Sequence, residues 1–315
     1  MIRIIVLLGT VITALSFTSC KDVRVKQKES FDSTQAVVSE SGKTFTLSFG
    51  PLKAVIDANN GGKLSGLFWM GENFISDSTA NADNWGNSLW PSPQSAWGWP
   101  PSKQLDKLPY MVLTDTGYVY LKSQKDSLLG LVFFKKYLIN TKDTSLVITY
   151  TILNASDVER KVAPWEITRV APGGLTFFPA GENKWKGELS EHIFNIDNIT
   201  WFDYNSKPIP TGIPKLFASG KEGWMAQVKN DKILVKKFPD VLVEQYAPGE
   251  AEIEFYANPD GSYIEIEQQG AYTSIAPGAS ITYEVVFYTR NIPASLVSNE
   301  RGNVGLVKIA KGILK

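Results

Sequence analysis

The sequence predicts an all-β fold, and three observations predict it. Short apolar-alternating runs rich in Val, Ile, Thr, Tyr and Phe recur from Thr44 onward. Clusters of Gly, Pro, Asn and Asp separate them. No stretch of ten or more residues carries a helical period, apart from a short one after Pro293.

The strand runs include Thr44 to Phe49, Leu52 to Asp57, Tyr118 to Lys122, Leu146 to Leu153, Lys232 to Lys236, Glu252 to Tyr256 and Ile281 to Tyr288. The turns between them carry Asn59-Asn-Gly-Gly62, Pro172-Gly-Gly174, Pro248-Gly249, Asn258-Pro-Asp-Gly261 and Pro277-Gly278, residues that supply the positive or fixed φ of tight reversals. Such spacing calls for antiparallel sheets packed face to face. More than a dozen strands exceed an immunoglobulin sandwich, leaving one oversized sandwich or two smaller ones. With no linker-like segment between residues 44 and 290, a single domain over 43–292 with an extension over 293–315 is the expectation.

The first twenty residues have one positive charge at Arg3, an apolar stretch, and small residues before Cys20. That is the build of a secretory leader, too short for a lasting membrane span. Phe17-Thr18-Ser19 before Cys20 resembles a bacterial lipobox, although Phe17 stands where Leu is usual. The expectation is therefore lipidation of Cys20 and attachment to a bacterial envelope membrane, the outer one being favoured. Cys20 is the only cysteine, so a lipidated chain keeps no thiol for disulfides, metal or catalysis. Residues 21–42 are polar and aperiodic, as a tether would be.

Lys plus Arg equals Asp plus Glu at 32 each, and loss of Arg3 with the leader leaves the rest near minus one. No basic face is implied, which argues against nucleic acid. His192 is the only histidine, so no histidine pair for a metal exists, and a surface position is expected for it. Calcium-loop and phosphate-loop spacings are absent, and no cofactor is implied.

The segment Asn84 to Pro101 is the most unusual. Four of the nine tryptophans, Trp85, Trp90, Trp97 and Trp99, fall in it beside Pro91, Pro93, Pro100 and Pro101. The prolines argue for a loop rather than a central strand. Each indole has on the order of 150–250 Å² to bury. Such rings either plug the end of a sandwich or line a ligand pocket. Indole faces suit the flat C–H faces of sugars, and Asn84, Asn87, Gln94 and Ser95 offer the polar complement.

Strand alternation over Ala163 to Pro172 puts Trp165, Ile167 and Arg169 on one face, Glu166 and Thr168 on the other. Glu166 and Arg169 are either functional or a structural ion pair. In Tyr263 to Gln269, Tyr263, Glu265, Glu267 and Gln269 share a face, with successive carboxylates about 7 Å apart. Lining a cleft, one of them would have a raised pKa fit for acid or base work; facing solvent, they would be ordinary polar positions.

These residues resemble the galactose mutarotase-like superfamily over most of 44–290. The resemblance rests on Leu52 to Asp57 running into Gly61 to Gly66, on Tyr137 to Asn154, on Glu265 to Gln269, and on the Pro277-Gly278 turn with Ile281 to Tyr288. Within it, Asn84 to Pro101 and Ala163 to Pro179 look most like a bacterial family of domains of unknown function. The resemblance implies a large antiparallel β supersandwich that binds sugar on a concave sheet face. Mutarotases of this type use a strand-borne glutamate in Glu-x-Gln, which Glu267-Gln268-Gln269 matches. Their histidines have no counterpart here, where Trp165 to Arg169 stands instead.

The expected function is binding of a mono- or oligosaccharide, anionic ones included, by a monomer. Trp90, Trp97 or Trp99 would stack on the sugar, with Asn84, Gln94, Glu166, Arg169 and Glu267 as polar partners. The competing readings are sugar epimerisation or elimination with Glu267 as base and Glu166 or Arg169 as electrophilic partner, and an envelope scaffold whose aromatic loop meets a protein.

Overall fold

A computed structural model of the chain describes residues 36–113, 117–182, 185–296 and 300–315, all within the unit Asp32–Lys315. Cys20 and the leader lie outside the described residues. In chain order the strands open with a meander: β1 (Val37–Ser41), β2 (Thr44–Phe49), β3 (Leu52–Asp57), β4 (Lys63–Trp69), the short β5 (Glu72–Asn73) and β6 (Asn87–Ser92). After the one-turn helix α1 (Lys103–Asp106) come β7 (Met111–Val112), β8 (Tyr118–Lys122), β9 (Leu131–Asn140) and β10 (Ser145–Asn154). The long β11 (Arg160–Val170) leads to β12 (Leu175–Pro179), β13 (Lys186–Gly187), β14 (Ile193–Ile196) and β15 (Ile199–Asp203). Then follow β16 (Lys215–Ala218), β17 (Trp224–Lys229), β18 (Lys232–Lys237), β19 (Ile253–Ala257), β20 (Ile264–Gln269), β21 (Thr273–Ile275) and β22 (Ser280–Asn291), and the helix α2 (Val304–Ile313) ends the chain.

These strands form two antiparallel sheets. The first runs β1-β2-β3-β4-β6-β11-β20-β19-β16-β13, the second β14-β15-β12-β17-β18-β22-β10-β9-β8-β7. Alternation along each strand sends one set of side chains between the sheets. Leu47, Ile56, Leu89, Phe255 and Ile266 of the first sheet meet Phe133, Ile148, Met225 and Phe287 of the second there. On the outer face of the second sheet, Phe177, Trp201, Trp224 and Tyr288 are covered by Leu306 and Ala310 of α2. Asn303 caps that helix, its side chain accepting from the backbone N–H groups of Gly305 and Leu306.

Two expectations need correction. The polar segment expected to serve as a tether over 21–42 is not aperiodic to its end, because Val37–Ser41 pairs antiparallel with Thr44–Phe49 as β1. The tryptophan-proline segment is not all loop, because Asn87–Ser92 is a fully buried central strand containing Pro91. Arg169 N–H donates to Gly86 O, and antiparallel alternation then makes Pro91, opposite Pro164, part of a non-hydrogen-bonded pair. Neither proline is asked for an N–H across that ladder. On its other side β6 meets β4 only at Asn87, opposite Leu64, so no second ladder demands one either.

Candidate functional site

The outer face of the first sheet carries the site. Three rows of side chains cross five neighbouring strands, β6, β11, β20, β19 and β16. The register aligns Arg169 with Glu265, Glu265 with Tyr256, and Tyr256 with Lys215. A second row aligns Ser88 with Ile167, Ile167 with Glu267, Glu267 with Glu254, and Glu254 with Phe217. A third aligns Trp90, Trp165 and Gln269.

Above these rows lies a hollow of about 440 Å³, lined by Asn84, Trp90, Gln94, Trp99, Trp165, Ile213, Lys215, Tyr256, Tyr263 and Glu265. Trp90 is its hub. Its ring meets those of Trp99, Trp165 and Trp97 edge-on at 5.8, 5.4 and 6.0 Å. Its indole N–H donates to Asp106 Oδ1 at 2.9 Å, and Asp106 in turn pairs with Lys63. Burial works against the Asp106 carboxylate, but Lys63 and the indole N–H outweigh it and hold its pKa below the ordinary value. Trp99 and Ile213 form the rim, 60% and 71% exposed. Trp99 is carried by the turn after β6, in which Ser92–Pro93 and Trp99–Pro100 are cis. A larger, more open groove of about 610 Å³ around Asp126, Asp157 and Arg160 has no aromatic lining.

Only part of the expected site converges there. Asn84, Trp90, Gln94 and Trp99 line the hollow. Trp97 does not; it stands behind Trp90, its indole N–H donating to Pro91 O at 2.6 Å. Arg169 faces the right way but is fully buried, its guanidinium lying 5.4 Å from the Trp90 ring and 5.9 Å from that of Tyr263. Its Nε stands 2.8 Å from Glu265 Oε1 and its Nη1 donates to Ser88 Oγ at 3.1 Å. The group it presents to the hollow is thus Glu265.

Glu267 also lies beneath the surface, 1% exposed, accepting from the Trp165 indole N–H at 2.6 Å. Burial pushes its carboxyl well above the usual range, with Glu265 and Glu254 adding to the effect and Lys215 opposing it. Glu254 is pushed up to about 7 for the same first reason. Its partners are Lys215 Nζ at 2.6 Å and the Gln269 amide at 2.6 Å. Burial alone lowers the pKa of Lys215, but Glu267 and Glu254 more than reverse it, so the amine stays charged.

Glu166 does not belong to this site. The alternation that puts Trp165 and Arg169 on the outer face turns Glu166 inward. There it accepts from Asn87, Thr168 and Gln268 and pairs with Lys236 of the opposite sheet. Tyr150 donates to Asn87 Oδ1 at 2.9 Å and Lys236 Nζ to Ile266 O at 3.0 Å, which completes a buried network tying the sheets together. His192 is likewise corrected from surface to interior: it is 1% exposed, with Nδ1 3.2 Å from Asp203 O and its ring 6.0 Å from that of Phe202. Among the described residues, no three His, Cys, Asp or Glu gather as metal ligands would.

The sequence reading missed Ile213, Lys215 and Tyr256. They come from β16 and β19 and the turn before β16, where no local motif marks them. Only the pairing of Lys215 with Tyr256 and of Tyr256 with Glu265 brings them beside Trp90.

Residues 70–289 match the family described as Domain of unknown function (DUF4380). The chain belongs to that family. The DUF4380 match begins just after β4 and takes in every strand that floors the hollow. Among solved structures, the chain is similar to a galactose mutarotase-like protein from Clostridium acetobutylicum, at 12% identity and TM-score 0.56 over 82% of this chain and 100% of that one. A galactose mutarotase-like protein from Lactobacillus casei gives 13% and 0.53, over 81% and 100%. A TPR-domain containing protein from Parabacteroides distasonis gives 14% and 0.56 over 81% of this chain, which spans only 48% of that longer one. No curated protein matches the chain. At these identities the likeness establishes the fold: DUF4380 here is a galactose mutarotase-like β supersandwich.

Proposed function

We propose that the hollow on the outer face of the first sheet binds a saccharide. The observation that carries this reading is the meeting of three indoles, Trp90, Trp99 and Trp165, with Asn84, Gln94, Glu265, Lys215 and two tyrosines around one cavity. Aromatic faces take the C–H faces of a sugar ring, while amides, hydroxyls and charged groups take its hydroxyls. The fold shared with galactose mutarotase-like proteins supports the same class of ligand.

Binding is preferred over sugar chemistry by Glu267, Glu166 and Arg169 for a geometric reason. Of the three groups first considered for catalysis, Glu166 faces the sandwich interior, and Arg169 and Glu267 lie beneath the hollow without lining it. A general acid or base must come within hydrogen-bond reach of the proton it moves.

A glycan array run with wild type and Trp99→Ala tests the reading. Trp99 is largely exposed, so its removal spares the fold, and losing one stacking platform is expected to weaken the wild-type hits about tenfold. An array with no hits, or hits unchanged by the substitution, would overturn it. The chain is further proposed to be an exported lipoprotein, on the strength of residues 1–20 alone. Cells labelled with a radioactive fatty acid should mark the wild type and not Cys20→Ser; equal labelling of both rejects the anchor.

A further inference from the structure

Beneath one wall of the hollow, two buried carboxyls stand near one ammonium, and Glu254 is the one that touches it. Glu254 and Glu267 are cross-strand partners on β19 and β20, both buried, and both act on Lys215. Lys215 alone of the three lines the hollow, its side chain 16% exposed. Glu254 spends one oxygen on Gln269 and the other on Lys215. Glu267 spends Oε2 on Trp165, and its Oε1 is buried with no hydrogen-bond partner among the described residues.

Two buried carboxylates beside one cation leave an uncompensated negative charge if both ionise, so the trio keeps a proton near neutral pH. The surrounding charges do not change this balance. Glu265 on β20 is already paired with Arg169 of β11, Lys236 of the opposite sheet is already paired with Glu166, and Glu250 before β19 adds a further negative charge near Lys215. Lys215 Nζ also stands 4.4 Å from the Trp165 ring centroid, so a group that reaches the ammonium from the hollow does so beside an aromatic wall. Among the described residues, the carboxylate in direct contact with the ammonium, and so the competitor of an arriving anion, is Glu254. Protonating the second carboxyl removes that competition.

We propose that the hollow takes a saccharide carrying an anionic substituent, a carboxylate or a sulfate, which pairs with Lys215 while the Glu254–Glu267 pair takes up a proton from solvent. This rests on the saccharide reading above and narrows it to an acidic class. Glu265 stands two strands away, about 10 Å from Lys215, and meets hydroxyls elsewhere on the same ligand.

Calorimetry on the full-length chain tests it with three probes: an oligogalacturonate, a chondroitin sulfate oligosaccharide and a neutral galacto-oligosaccharide. Titrations at pH 6 and pH 8, each in two buffers of different ionisation enthalpy, read both affinity and proton uptake. At least one acidic probe should bind about tenfold tighter than the neutral one at pH 6 with little proton uptake there, should take up about one proton at pH 8, and should weaken by up to about tenfold per pH unit toward pH 8. The sign follows from Glu254: below its pKa the competing carboxylate is neutral, above it the carboxylate holds Lys215. Lys215→Met should erase the preference for acid, bringing the acidic probes to the affinity of the neutral one measured on the same variant, and Glu254→Gln should flatten the pH dependence. Equal or better binding of the neutral probe overturns the proposal, as does acidic binding at pH 8 with no proton uptake. If the neutral probe binds and Trp99→Ala weakens it, the saccharide reading stands and only the acidic class falls; if none of the three binds, the acidic class falls and the array decides the saccharide reading.

Discussion

Lys236→Met should destabilise the protein by about 3–5 kcal/mol, read as a lowered midpoint of urea unfolding. The ammonium is fully buried and lies against the equally buried Glu166 carboxylate, so its removal strands a charge between the sheets. Burial already pulls Lys236 below its ordinary pKa, with Glu166 pulling the other way. The pair is therefore held by its partner rather than by solvent. Adding Glu166→Gln to Lys236→Met should recover part of the loss, because the stranded charge goes, although Asn87 and Gln268 keep imperfect partners. A coupling energy of about 2 kcal/mol between the two positions is expected. Glycan binding by the folded fraction should stay as in wild type, since neither group reaches the hollow. A single-variant loss under about 1 kcal/mol would mean that the network does not tie the sheets together.

Trp90→Ala should cost about 3–5 kcal/mol and abolish binding as well. The ring is 4% exposed and touches three other tryptophans, so its removal opens a cavity under the floor of the hollow and leaves Trp99 and Trp165 without their common neighbour. It also strips Asp106 of a 2.9 Å hydrogen bond. Trp90→Phe keeps most of the ring and loses that bond, for an expected cost of about 1–2 kcal/mol. Thermal melts of the two variants beside wild type separate the contributions; near-equal costs would mean that the hydrogen bond, not the ring, carries the stability.

The contrast between these two residues shows how far local reading reaches. Strand alternation assigned faces correctly: Trp165, Ile167 and Arg169 share one side, and so do Glu265, Glu267 and Gln269, because the period of two is set by the backbone. Depth is a different quantity. Whether Arg169 touches a ligand depends on Trp90 and Tyr263 closing over it, and those rings come from β6 and the residue just before β20. The proline rule failed at Pro91 for a related reason, since it weighs one strand while the partner that makes Pro91 tolerable, Pro164, lies on β11. Lys215 and Tyr256 were invisible because each is an ordinary residue in an ordinary strand, made part of the hollow by register alone. His192 misled in the opposite direction: a lone histidine with no second histidine for a metal pair suggests a surface residue, whereas the turn Glu188–His192 folds it under Phe202.

A crystal structure of the protein soaked with a saccharide that the array identifies tests the central claim most directly. The account predicts a sugar ring against the Trp99 indole, its hydroxyls within hydrogen-bond distance of Asn84, Gln94 or Glu265. Electron density for the sugar anywhere other than this hollow, or an empty hollow at saturating ligand, would contradict it.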